Sequence, residues 1–256
     1  MAKLAIIGGT GLSNIKEIKS IRHKVFATPY GEPSGPFTIG ELAGCEVVFL
    51  PRHGYNHRIP PHQINYRANI WALRELGIKR VLAIGAVTAV RPGLHPGDLL
   101  VPDQIIDYTH NRGATFFEGD LTAVTHIDFR YPYTQPLREA FLRTANALDV
   151  PIHDGGVYGA RQGPRLETLA EVHKISQDGC DVIGMTGMPE AALAREAALD
   201  YAALNVLINN AAADQATERL SISEMNDTFR DSMDTVRAML VYMLAHRDPA
   251  ICPDQD

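Results

Sequence analysis

The sequence predicts an α/β fold with a mixed sheet and surrounding helices, and three observations carry that expectation. Short apolar runs alternate with amphipathic segments along the whole chain, which is how layered α/β proteins read. Several runs end at glycine, proline or a polar residue, as strands do where they enter site loops. No internal repeat, low-complexity tract or linker divides the 256 residues, a length that suits one large domain.

Residues 4–7 and 47–50 read as buried strands, with the Pro- and Gly-rich stretch 31–40 a loop between strands. The segment 62–76 sets Ile64, Ala68, Trp71, Ala72 and Leu76 at helical spacing. Strands follow at 81–84 and 98–101, a helix at 137–148, a strand at 157–160 and a helix at 166–176. Then come a strand at 181–185, a helix at 190–198 and the most apolar strand, 202–208. The last helix has the clearest start: Ser221-x-x-Glu224 is a capping box, and Ile222, Met225, Phe229, Val236, Leu240 and Met243 follow on one face. Residues 1–246 thus form one expected domain, and 247–256 a frayed polar tail.

Composition narrows the function. Hydrophobic residues at 45% and charged residues at 21% support a large core. The net charge of −6, without a Lys/Arg run, makes nucleic acid and anionic membranes poor partners. No apolar run reaches the roughly 18 residues of a membrane span, and the apolar start at 4–7 is too short for a signal peptide. Cys45, Cys180 and Cys252 are an odd, scattered set, expected to be reduced thiols in a cytoplasmic protein and not a disulfide framework or zinc site.

Five short motifs carry chemistry. Gly8-Gly9-Thr10-Gly11 follows the first strand, and fits equally a tight turn and an anion cradle of backbone N–H groups and a hydroxyl. Neither the third glycine of a dinucleotide fingerprint nor the Gly-Lys-Ser/Thr of a Walker loop follows it. Pro51-Arg52-His53-Gly54 offers a guanidinium fork for an oxyanion and a histidine that titrates near neutrality. His57 and His62 lie close by, but no cysteine or carboxylate completes a metal set, so no metal is expected. Gly163-Pro164-Arg165-Leu166-Glu167 places Glu167 in the first turn of a helix, where it either serves the helix dipole or accepts a ring N–H. Met185-Thr186-Gly187-Met188-Pro189 ends a strand and starts a helix, an arrangement that suits an anion. Asn209 and Asn210 close the most apolar strand, either as a turn or as amides able to donate and accept.

In their order these motifs, with Pro61-His62-Gln63-Ile64-Asn65-Tyr66-Arg67-Ala68-Asn69, resemble the trimeric purine nucleoside phosphorylase and methylthioadenosine phosphorylase family over roughly residues 4 to 245. The resemblance implies a single-domain nucleoside phosphorylase fold and cleavage of an N-glycosidic bond by inorganic phosphate, a co-substrate, with no cofactor. By the same resemblance Thr10, Arg52, His53 and Thr186 hold phosphate with backbone help from Gly85 and Ala86. Met185 packs on the ribose, Leu166 takes the base-stacking position with weaker stacking, and Glu167 and Asn210 read the base. Ile222, Met225 and His126 meet the 5′-group, His126 from a neighbouring subunit of a homotrimer. Small-molecule nucleoside and phosphate are the expected partners.

Two positions speak to specificity. The 6-aminopurine branch of the family has serine at the place of Glu167 and aspartate at that of Asn210. Glu167 instead suits the N1–H of a 6-oxopurine, so hypoxanthine is expected over adenine. Family members that take a free 5′-hydroxyl carry a histidine near Met225, whereas Met225 with Ile222 makes an apolar pocket, unless both are simply core residues. Together these features point to 5′-methylthioinosine. Three places depart from the family pattern: 85–90 lacks its polar side chain and glycine pair, Leu166 replaces a stacking phenylalanine, and Asn209 replaces a threonine. A one-residue slip would make Asn209 the base reader. The alternatives are a methylthioadenosine or inosine/guanosine phosphorylase, a non-catalytic purine-binding module and, more remotely, a dinucleotide-dependent dehydrogenase.

Overall fold

The computed structural model describes residues 4–9, 18–118, 123–211 and 221–252. Among them eleven strands form one mixed sheet. Strand β1 (Leu4–Gly8) is buried at every position because helices cover both sheet faces. Its side chains alternate: Leu4 and Ile6 meet one core cluster, Ala5 and Ile7 the other. It pairs in parallel with β4 (Cys45–Pro51) on one side and β5 (Arg80–Ala89) on the other. β3 (Phe37–Leu42) adds antiparallel to β4, and β2 (Lys19–Lys24) completes that edge. So 37–40 is strand and not loop. β2 escaped the sequence because every one of its residues is exposed and no apolar period marks it.

The other half of the sheet grows from β5. Its full length pairs in parallel with β11 (Asp200–Asn210), with a bulge between Leu207 and Asn209. Its opposite edge takes β1 through Ala83 and then β10 (Val182–Gly184) at Thr88 and Ala89. Among the described residues no strand pairs with 84–87 on that edge. This is a crevice at a point where the strand direction changes, the place where α/β sheets bind ligands. β9 (Val157–Ala160) and β7 (Gln104–Asp107) continue in parallel from β10, while β6 (Leu99–Val101) and β8 (Ile152–Asp154) hang from β11.

Helices α1 (Tyr66–Glu75) and α4 (Gly187–Glu196) cover one face; α2 (Gln135–Ala147) and α5 (Ile222–Ala245) cover the other, with Phe141, Met233, Val236 and Leu240 in its core. α1 begins later than the periodicity suggests because Asn65 accepts the Ala68 N–H, and Pro61–Gln63 forms a separate 3-10 turn. The capping box of Ser221 and Glu224 opens α5. α3 (Leu169–Gln177) opens with a second capping box, Thr168 and Glu171. Glu167 therefore stands just ahead of the cap and not in the first helical turn, which corrects its expected position. Residues 247–252 do not fray: Ile251 is buried in the α2–α5 core, and Cys252 Sγ lies 3.0 Å from Cys45 Sγ. All three cysteines are free thiols. Residues 253–256 of the expected tail lie outside the described residues. No described helix is long and apolar enough to cross a membrane.

Candidate active site

A cavity of about 380 Å³ opens at the carboxyl ends of β1, β4, β10 and β11 and along the unpaired edge of β5. Its size suits a small organic ligand. Gly9, Arg52, His53, Gly85, Ala86 and Thr186 line one part, Pro164, Leu166, Glu167 and Met185 a second, and Ile208, Ile222, Met225 and Phe229 a third. Segments far apart in sequence thus converge here. β5 continues as strand through 85–89, so the expected phosphate loop after residue 84 is instead the open strand edge, which presents Gly85 and Ala86 to the cavity.

Arg52 stands directly after β4 and is almost fully buried. Its Nε and Nη2 donate to the two Glu190 carboxylate oxygens at 2.6 and 2.8 Å, and its Nη1 donates to the Ile84 carbonyl at 3.0 Å. Tyr201 Oη also donates to Glu190, at 2.8 Å. Burial would strip Arg52 of its proton, but the adjoining Glu190 carboxylate more than offsets that and raises its pKa. The expectation of an uncommitted guanidinium fork is thereby corrected: one face of the fork belongs to Glu190, which leaves only the remaining N–H groups for any anion. The sequence offered Glu190 only as part of a helix start.

His53 is also corrected. Its Nδ1 lies 2.9 Å from the Ile59 carbonyl, which can only accept, so Nδ1 carries the proton. Burial, with help from neighbouring Arg52 and His57, pushes its pKa down to about 4. The ring is neutral at neutral pH, and its Nε2 is an acceptor, not a charged donor. Followed by NMR, the His53 ring signals are expected to hold their neutral positions through about pH 5 and to move only as pH nears about 4. The sign for stability follows. The unfolded ring titrates at about 6.5, so the buried neutral ring contributes fully above that pH. Its contribution is lost as pH falls toward about 4.

Thr186 begins α4, yet the first amides there are not free. Tyr158 Oη accepts the Thr186 and Gly187 N–H groups, each at 3.2 Å. An incoming anion therefore exchanges with Tyr158 or uses the Thr186 hydroxyl. Gly184 lacks a side chain because a Cβ there would collide with the Tyr158 hydroxyl. Arg112, which sequence reasoning passed over, clamps this region. Its Nη1 donates to the carbonyls of Met185 and Met188 at 2.9 and 2.5 Å, and its Nη2 to those of Arg161 and Gln162 at 3.2 and 2.9 Å. One guanidinium so joins the turn carrying Thr186 to the turn leading to Glu167. Gly163 in that second turn has φ +59°, and a Cβ would strike Met185 Sδ at 2.5 Å, which leaves only glycine there.

Glu167 is nearly buried at the cavity wall, its side chain 7% exposed. Burial raises its pKa and Arg161 works in the opposite direction. At the far end Met225 is buried, whereas Ile222 and Leu166 are 71% and 48% exposed at the rim. The reading of Ile222 as a core residue is thus set aside.

Other expected residues fall elsewhere. Neither Asn209 nor Asn210 is among the residues lining the cavity, whose β11 wall is Ile208. Asn210 Nδ2 donates to the Leu94 carbonyl at 3.2 Å, and the buried Asn209 Oδ1 has no hydrogen-bond partner among the described residues. The bulge at Leu207–Asn209 breaks the simple alternation that would set one of them beside Ile208. His126 is exposed and does not line its own chain's cavity. Thr10 lies outside the described residues. Among the described residues no group of three or more His, Cys, Asp or Glu side chains could hold a metal ion.

Comparison with known proteins agrees with this architecture. The profile of the phosphorylase superfamily matches residues 3–245. A probable S-methyl-5′-thioinosine phosphorylase of Pseudomonas syringae pv. tomato is 49% identical over 245 residues, covering 96% of this chain and 99% of that protein. A 6-oxopurine nucleoside phosphorylase of Pyrococcus furiosus is 42% identical over 246 residues, 94% of this chain and 91% of its own length. The solved structure of a methylthioadenosine phosphorylase from Schistosoma mansoni in complex with adenine superposes with a TM-score of 0.90 at 31% identity, covering 96% of this chain and 92% of that one.

Proposed function

The chain belongs to the phosphorylase superfamily, and from that premise we propose that it cleaves 5′-methylthio purine nucleosides with inorganic phosphate, S-methyl-5′-thioinosine before the others. The observation that carries the reading is the composition of one cavity. An oxyanion corner of Arg52, His53 and Thr186, a carboxylate at Glu167 and an apolar end of Ile222, Met225 and Phe229 share it. Those three parts match phosphate, a 6-oxopurine and a methylthio group. A relative named for the same substrate, 49% identical over 96% of this chain, supports it.

In this reading phosphate attacks C1′ as the bond to the base breaks, and a single displacement through an oxocarbenium-like state inverts the anomeric carbon. The protein needs no nucleophile of its own and no resident cofactor. Arg52 supplies fixed positive charge, and the His53 Nε2 lone pair orients a P–OH. Holding two reactants in line lowers the barrier by about 7–11 kcal/mol in well-aligned cases. Met185 packs on the ribose, and Leu166 covers the base. A carboxamide donor at the purine N7 would stabilise the charge of the departing base. Neither asparagine lines the cavity, so the donor must turn toward it; Asn210, whose Nδ2 carries a second N–H beside the one bonded to the Leu94 carbonyl, is the candidate, with Asn209 the alternative. Alanine at each position separately, assayed for hypoxanthine release, assigns the role. We also propose a homotrimer, in which a neighbouring copy brings His126 to the rim and covers exposed Leu166 and Ile222, and a role in cytoplasmic purine salvage.

Purified protein with phosphate and four nucleosides tests the proposal: inosine, adenosine and their 5′-methylthio forms. The highest kcat/KM is expected for 5′-methylthioinosine; a higher value for methylthioadenosine or inosine overturns the substrate assignment, and no phosphate-dependent turnover of any of them overturns the activity. Met225→His is expected to move preference toward inosine. It gives a 5′-hydroxyl a partner and removes an apolar contact worth about 1–3 kcal/mol, a 10- to 200-fold change in the ratio of the two kcat/KM values.

A further inference from the structure

A second cavity of about 410 Å³ lies behind Glu167, lined by Tyr108, His110, Arg161, Gln162, Arg165 and Glu171. Glu167 is in the wall of both cavities. We propose that Arg161 is the positioning residue for the Glu167 carboxylate and, through it, a determinant of 6-oxopurine over 6-aminopurine selectivity. The inference rests on the reading above, in which Glu167 faces the purine.

The geometry is specific. Arg161 Nε is buried, has no hydrogen-bond partner among the described residues, and lies 3.6 Å from Glu167 Oε1. Three other contacts hold Arg161 in place. Its Nη2 donates to Glu171 Oε1 at 2.8 Å, its guanidinium sits 5.8 Å from the Tyr108 ring centroid, and its carbonyl accepts from Arg112. Glu171 is already engaged, taking two bonds from Arg165 and one from the Thr168 N–H of its capping box. The buried, unpaired Nε is the Arg161 atom nearest the Glu167 carboxylate, at ion-pair distance. Arg161 does not line the main cavity, so it acts on a base only through Glu167.

Why this matters lies in the proton count of the base edge. A 6-oxopurine carries N1–H and needs an acceptor. A 6-aminopurine presents a lone pair at N1 and needs a donor. An ionised carboxylate only accepts, whereas a protonated one can donate. A carboxyl group as enclosed as Glu167 tends to take up a proton, and Arg161 opposes that. Among the described residues the other charged or titratable groups around Glu167 are Arg165 on its own turn, Glu171 on α3, Tyr108 and His110 beyond β7, and Arg52, His53 and His57 across the main cavity. Of the cations among these, Arg161 and Arg165 act on Glu167, and Arg161 more strongly.

The test compares wild type with Arg161→Met, and with Arg161→Gln in case the first does not fold. The readout is the ratio of kcat/KM for 5′-methylthioinosine to that for methylthioadenosine, measured from about pH 6 to pH 8. Wild type is expected to give a high ratio that is flat with pH. In the variants the ratio falls at least about tenfold at the acid end and climbs with pH as Glu167 ionises. Arg161→Lys, which keeps the charge, restores the flat profile. A merely structural role would lower both substrates alike and leave the ratio unchanged at every pH, and that result overturns the inference. If wild type itself shows no preference for the 6-oxo substrate, the reading of Glu167 fails, and the inference with it.

Discussion

Glu190→Ala is expected to destabilise the fold by about 3–5 kcal/mol, because it leaves the Arg52 charge buried without its partner. That corresponds to a fall in Tm of roughly 6–20 °C for a chain of this size. The cause is local and strict. Arg52 and Glu190 side chains are 3% and 1% exposed, so neither charge has water to fall back on. Phosphate affinity falls too, since the carboxylate no longer sets the guanidinium plane. The double variant Arg52→Leu/Glu190→Leu separates the two effects: removing both charges recovers much of the stability, whereas phosphorolysis stays lost. Thermal melts of the three proteins check this, and a single variant within about 1 kcal/mol of wild type would show that Arg52 is neutralised by other groups.

Glu167→Ala is the second large effect, and it falls on selectivity. A hydrogen bond to a charged acceptor contributes about 1.5–3 kcal/mol, so kcat/KM for 5′-methylthioinosine drops about 10- to 150-fold. Methylthioadenosine, which has no N1–H to offer, changes far less. Steady-state assays on both substrates, with far-UV dichroism to confirm folding, give the answer. An equal loss on both would mean that Glu167 serves the turn at Gly163 and not the base.

The strands that carry the site were legible because they are buried on both faces and so appear as bare apolar runs; β1, β4 and β11 announce themselves this way. β2 and β8 did not, since an edge strand needs no apolar side chains, only a ladder partner. The site residues were legible one at a time, as Arg52 at a strand end or Thr186 at a helix start. Their partners were not. Glu190 is 138 residues from Arg52, and Tyr158 is 28 residues from Thr186, so nothing in local spacing pairs them. Arg112 joins two turns through backbone carbonyls, which leave no signature in the sequence of the accepting residues. Asn209 and Asn210 show the opposite limit. Their side chains are plain in the sequence, but the bulge that decides where they point is a property of the pairing.

The shared edge of β5 has a mechanical side. Arg52 and His53 hang from β4, beyond β1; Thr186 and Met185 hang from β10, and Glu167 follows β9. Among the described residues, the sheet joins the two groups on this edge through the stretch of β5 between Ala83 and Thr88, and the Arg52–Glu190 pair ties them across the gap. In the proposed reading the gap between nucleophile and leaving group is therefore a gauge length, written into how straight that stretch runs. A misplacement of about 1 Å can cost about 100-fold in rate, so a kink introduced at Gly85 would detune the reaction without removing one contact to either reactant.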